Sequence, residues 1–230
     1  MIYTNYLFFK KRLKALGVAD LPLDNNLTDD FSTAIRKLQA SHGLEQVGYV
    51  GPQTLNLLVK NSYPELQVLP YKQTTIDEKL VINYIKSVQE IPAVKISTYL
   101  IFANESAHGR SGINSNYVGG QADVGRWNSQ WDDVVYATTI KCESMTGNPR
   151  RFLVFNSWQL GIEFLVDRVQ SRGLFIGGHV HPYSNMDVDN VEEFAKAYWD
   201  EWVVGDSSNP PSGQIADIVG LYKKAETYFT

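Results

Sequence analysis

Residues 63–75 constrain this chain more than any other stretch. They hold Pro64 and Pro70 and show little apolar periodicity, whereas both flanks carry apolar residues at helical spacing. A proline-punctuated connector of this kind predicts two domains, residues 1–62 and 76–230, joined by a linker. With 230 residues, of which 43% are hydrophobic and 20% charged, the chain has enough apolar material to bury a real core. That excludes disordered, collagen-like and coiled-coil chains. The single cysteine, Cys142, excludes an intramolecular disulfide and a thiolate zinc cage.

The first domain reads as three short helices. Phe8, Leu13 and Leu16 form a helical stripe that Gly17 terminates. Thr28 is placed to cap a second helix, with Asp29 and Asp30 in its first turn and Phe31, Ile35 and Leu38 inward. Pro52 opens a third, residues 53–59. Beyond the linker, helices are expected at 76–89 and 93–105, then a β-prone stretch around Ile140 and Phe152–Phe155. Asn156 or Ser157 caps the next helix, whose stripe is Trp158, Ile162, Leu165 and Val169. Asn190, with Glu193 at the capping-box spacing, starts another that carries Phe194, Ala195, Tyr198 and Trp202. Residues 212–229 close the chain as an amphipathic helix with Ile215, Ile218, Val219 and Tyr222 inward. The fold class is therefore mainly α with a small β region.

Charge narrows the partners. The net charge is -4, which argues against nucleic acid as the main partner. Its distribution is uneven: residues 1–72 carry eight basic against six acidic side chains, and the remainder thirteen against nineteen. No run approaches the twenty or so apolar residues of a membrane helix, so no stable membrane association is expected. The N-terminal apolar residues precede Lys10 and Lys11, the reverse of a secretory signal. A monomer held in a cytoplasm until it is released is the expectation.

Phe31, Ala34, Ile35, Leu38, Gln39, Gly43, Leu44, Gly48, Gly51, Pro52, Thr54 and Leu57 follow one another in an order that resembles the three-helix peptidoglycan-binding module found beside wall-degrading enzymes. The resemblance covers about residues 5–60, with Leu38 where an aromatic is usual, and implies bacterial peptidoglycan as the partner. A generic three-helix bundle, its glycines serving turns alone, is the plainer reading.

In the second domain, Glu105 ends a strongly apolar helix and is followed by a glycine-containing loop. A carboxyl at the negative end of a helix dipole and against apolar walls should hold its proton to unusually high pH, as a general acid must. A solvated Glu at a frayed end is the alternative. The run from Glu105 through Ser106, Ala107, His108, Gly109 and Ser111, then Asn114, Asn116, Tyr117, Gly119 and Gln121, resembles the active-site segment of the glucosaminidase/autolysin family of peptidoglycan hydrolases. The resemblance runs from about residue 95 to 172 and implies a lysozyme-like α+β domain with Glu105 as catalytic acid and no cofactor. His108 stands where an aromatic is usual, and the family's Arg and Tyr are missing from Phe152–Phe155.

Glycoside hydrolysis commonly uses a second carboxylate. Glu143 matches best by motif, with Asp123, Asp132 and Asp133 also near; alternatively Glu143 pairs with Arg150 or Arg151 on a hairpin. Tyr117, Trp127 and Trp131 are stacking candidates for sugar rings, and Asn116 and Gln121 candidates for bonding N-acetyl groups. Tyr198 is the nearest match to the family's cleft tyrosine. The expected activity is N-acetylglucosaminidase, with N-acetylmuramidase or lytic transglycosylase as alternatives, in a phage or prophage endolysin. A non-catalytic wall-binding or virion structural protein is the alternative of another class. Two rival chemistries use other residues: zinc on His179 and His181 with Asp187 or Asp189, and a Cys142 nucleophile with His108 or His179.

Overall fold

The computed structural model describes residues 4–59, 66–122, 129–132, 134–143, 147–178, 186–203 and 213–230. Among these the chain is mainly helical, with eight α-helices and two small sheets. It divides into two compact units: Met1–Tyr71 with Gln121–Asn128 and Tyr136–Leu153, and Lys72–Gly120 with Ser129–Val135 and Val154–Thr230. The division expected from sequence is linear; the compact units are not.

In the first unit, α1 (Tyr6–Ala15), α2 (Asp29–Ser41) and α3 (Pro52–Leu58) enclose a core of Phe9, Leu13, Phe31, Ile35, Leu38, Leu55 and Leu58. Thr28 caps α2, its side chain accepting from the Phe31 N–H at 3.2 Å. The α1 stripe is shifted by one position from the expected one. Phe9 and Leu13 are buried, whereas Leu16, read as inward, is the C-cap residue and 46% exposed. Lys10 is buried too, its ammonium 2.5 Å from Asp24 Oδ1, and this contact holds the Asp24 carboxyl below its usual range.

Residues 66–75, expected as linker, instead supply two short strands. β1 (Gln67–Leu69) pairs in parallel with β4 (Val135–Cys142), Val68 opposite Thr138, and β5 (Pro149–Phe155) lies on the other side of β4. The residues of this sheet that belong to the first unit are tied to its helices. Ile140 packs on the helical core. Arg151 is fully buried, donating to Thr138 Oγ1 at 2.9 Å, to the Asn56 carbonyl at 3.2 Å, and to Asn56 Oδ1. Asn5 Nδ2 reaches the Gly147 carbonyl at 3.1 Å and Asn148 Oδ1 at 3.0 Å.

The second unit is built around α5 (Pro92–Ser106). Ten of its fifteen residues are buried, on all sides rather than along the single expected stripe, the pattern of a helix central to its domain. Packed against it are α4 (Glu78–Ser87), α6 (Trp158–Arg172) and α8 (Gln214–Phe229), and α8 in turn packs on α7 (Val191–Glu201). Ser157 caps α6 and Asn190 caps α7, accepting from the N–H groups of Leu160 and Glu193 as their spacing predicts. β2 (Gln73–Thr74) pairs antiparallel with β3 (Gly112–Ile113).

Candidate functional site

The end of α5 is where the chain becomes unusual. Ala107 and His108 take the left-handed conformation in succession (φ 49° and 60°), and Asn114 and Ser115 do so again (φ 50° and 65°). Non-glycine residues there are strained and persist only where the surroundings hold them. These are held. His108 Nδ1 lies 2.6 Å from Glu78 Oε1, which also accepts from Tyr99 Oη at 2.5 Å. Asn114 exchanges two hydrogen bonds with Lys72, its N–H donating to the Lys72 carbonyl at 2.8 Å and its Oδ1 accepting at 2.7 Å. The Ser115 N–H donates to Thr74 Oγ1 at 2.8 Å. Desolvation raises the Glu78 pKa, but the hydrogen bonds from Tyr99 and His108 outweigh it and leave the carboxyl below its ordinary value.

This pinned loop returns to Glu105. A Cβ on Gly119 would sit 2.6 Å from Glu105 Oε2, and Gly119 has φ +66°, so glycine is required there on both counts. Asn116, buried, bridges the return: its Nδ2 donates to the Gly120 carbonyl at 3.0 Å and its Oδ1 accepts from the Val118 N–H at 3.1 Å. On the Oε1 side, Tyr198 Oη donates to Glu105 at 3.1 Å while accepting from Asn104 Nδ2 at 2.7 Å. Trp202 gives Glu105 a further side-chain hydrogen bond. Glu105 is half-buried as a residue. Burial of its carboxyl is the largest influence on its pKa, which is pushed up to about 7 against the lowering effect of Tyr198 and Trp202. Desolvation and the neighbouring Glu105 hold Tyr198 well above the usual phenol value, so its hydroxyl remains a donor.

Of the residues read from sequence, Glu105, Asn116, Tyr117 and Tyr198 belong to this unit. Tyr117 is 5% exposed and packs edge-on against Phe102. Trp131, read as a stacking ring, is 7% exposed and anchored in the core, donating Nε1–H to Asp167 Oδ2 at 3.0 Å and lying edge-on to Phe164. A ring buried in this way stabilises the fold and has no open face for a sugar. Trp127, Asp123, Asp133, His179 and His181 lie outside the described residues. In the first unit, Glu143 pairs with Arg150 Nε at 2.8 Å, the alternative read from sequence, and Arg150 Nη1 donates to Gln121 Oε1 at 2.8 Å. Cys142 is exposed as a residue, yet desolvation still raises its thiol pKa, the direction opposite to nucleophile activation.

Three neighbours of Glu105 and Tyr198 were given no site role from sequence: Asn104, Gly119, which the motif run contains, and Trp202, read only as part of a helical stripe. Trp202 follows Tyr198 by four residues, so helical spacing puts both on one face of α7 and its end. That signal was available. Beside it, Glu201 is buried against Arg172, 3.2 Å away, and burial pushes its carboxyl to about 7 in spite of Arg172 and Arg168.

Among the described residues no helix is long and apolar enough to cross a membrane. No curated protein and no solved structure matches this chain. Residues 5–58 match the family model of the peptidoglycan binding domain, so the three-helix region is similar to wall-binding modules, and the match supports peptidoglycan as its partner.

Proposed function

We propose that this chain is a peptidoglycan hydrolase that cuts the GlcNAc/MurNAc glycan backbone by general acid catalysis. In this reading a lysozyme-like second domain carries Glu105 and the N-terminal module holds the enzyme on the wall. One observation carries it: a carboxyl at the end of a buried helix has its pKa pushed to about 7 while Tyr198 holds one of its oxygens at 3.1 Å. Such a group keeps its proton near neutrality in a fixed orientation, which is what protonation of a leaving group demands.

In this reading the proton is carried by the Glu105 carboxyl, which Tyr198 orients through Oε1. It passes to the glycosidic oxygen as the C1–O bond breaks. The leaving sugar departs as a neutral alcohol, and positive charge develops at C1 and the ring oxygen. In the proposed reaction the substrate's own N-acetyl oxygen captures C1, and water then opens that intermediate. The second reading is a lytic transglycosylase, in which the sugar's 6-hydroxyl closes on C1 and its proton passes to the Glu105 carboxylate. Bacterial lysis as a phage or prophage endolysin is the setting we propose.

Mass spectrometry of fragments released from purified sacculi tests the reading. New reducing-end GlcNAc is expected; reducing-end MurNAc or anhydro-MurNAc selects the muramidase or the transglycosylase. Release of new amino or peptide carboxyl termini without new glycan ends would overturn all three.

A further inference from the structure

The first unit contains a cavity of about 370 Å³ that the glycosidase reading leaves unused. Its apolar lining includes Phe31, with the Tyr6 ring edge-on to it at 5.3 Å, and the exposed side chains of Tyr49 (45%) and Leu27 (60%). Ser32 and Arg36 also line it, and Tyr6 and Tyr49 each add a phenol hydroxyl. Arg36 is exposed, and no described carboxylate pairs with it. Its guanidinium lies along the chain at Gly48, where a Cβ would come within 2.9 Å of Nε; Gly48 also has φ +77°, so glycine lets the cation lie flat there.

The wall beneath that cation is fixed by one buried side chain. Gln39 Oε1 accepts from the Gly48 N–H at 3.0 Å, and its Nε2 donates to the Tyr49 carbonyl at 3.0 Å and to Thr54 Oγ1 at 2.8 Å. A buried amide with its bonds made holds a loop in one conformation. The cavity therefore has a rigid wall, a largely apolar lining and one cation that pairs with no carboxylate among the described residues.

We propose that this cavity is the module's ligand site and that it takes the stem peptide of peptidoglycan, with a peptide carboxylate on Arg36 and alanine methyl groups against Phe31, Leu27 and Tyr49. The chemistry favours peptide over glycan. A glycan strand whose lactyl groups carry peptides has no free carboxylate of its own, whereas the stem peptide brings carboxylates to the guanidinium here. A short chain alternating methyl groups with carboxylates matches both the apolar lining and the single cation, which holds a carboxylate by charge-assisted bonds. The proposal rests on wall recognition by the module and not on Glu105.

The test uses the full chain carrying Glu105→Gln, so that binding is read without lysis, in co-sedimentation with purified sacculi. Arg36→Glu and Tyr49→Ala are each expected to weaken binding about tenfold or more, and Arg36→Lys less. Free stem tetrapeptide should compete with sacculi, whereas the same peptide with its carboxylates amidated should not. Unchanged binding by both Arg36→Glu and Tyr49→Ala overturns the proposal. So does competition by peptide-free glycan strands with none by the peptide. Neither result bears on Glu105, whose failure would show in glycan cleavage and leave binding untouched.

Discussion

At the scale of single residues, the site depends on how Glu105 is solvated. Burial lifts its carboxyl to about 7, so the protonated fraction, and with it the rate of the proposed glycan cleavage, should fall as pH rises through about 7. Tyr198 donates to the ionised form more favourably than to the acid and so lowers that pKa. Tyr198→Phe is therefore expected to move the alkaline limb of the rate profile to higher pH, which rate measurements across pH 5–9 will read. The same group has a sign in stability. Its pKa is raised in the fold, so the native state is favoured most below about 4.5 and loses ground as pH rises from there to about 7. Glu105→Gln should therefore melt higher than wild type at pH 8, with the difference vanishing near pH 4 in thermal denaturation. Glu105 was singled out through a local motif and Tyr198 through a family resemblance, and the two side chains meet in a hydrogen bond. Asn104 was not singled out, since its amide serves a hydroxyl on a helix far along the chain.

At the scale of elements, the helix starts were legible because capping is local. Thr28, Ser157 and Asn190 each accept from an N–H three residues on. Thr28→Ala should destabilise the first unit by about 1 kcal/mol in denaturant titration, by removing the acceptor for the Phe31 N–H. The strands were less legible. β1 and β2 are three and two residues long, too short for alternation to register, and their partners lie far along the chain at Ala137–Thr139 and Gly112–Ile113. Pro70 pointed correctly to a break in regular structure but said nothing about the pairing on either side of it, and Pro64 lies outside the described residues. In α1, apolar residues at both 8 and 9 left two registers open, and packing of Phe9 against Phe31 settled it.

At the scale of the whole molecule, the peptidoglycan-binding match at residues 5–58 is only part of a compact unit that also takes in residues 136–153. Arg151 illustrates why a linear reading misses this. It is a charged residue on a β-prone segment, yet it is buried and bonded to Asn56. Its burial becomes visible only once strand and helix are placed together. A chain shortened to residues 66–230 should therefore leave the Arg151 guanidinium without its Asn56 partners and Ile140 without its helical cover. Thermal unfolding of that shortened chain is expected to begin at lower temperature than in the full protein. An unchanged melting profile would show that the two segments are energetically separate.

The central claim concerns one proton on Glu105, and the cleavage rate of Glu105→Gln on purified sacculi tests it most directly. Glutamine keeps the shape and the hydrogen bond from Tyr198 but has no acid to give. Release of glycan fragments should fall by about 10²–10⁴-fold while co-sedimentation with sacculi stays at the wild-type level. Cleavage within a few-fold of wild type would contradict the account.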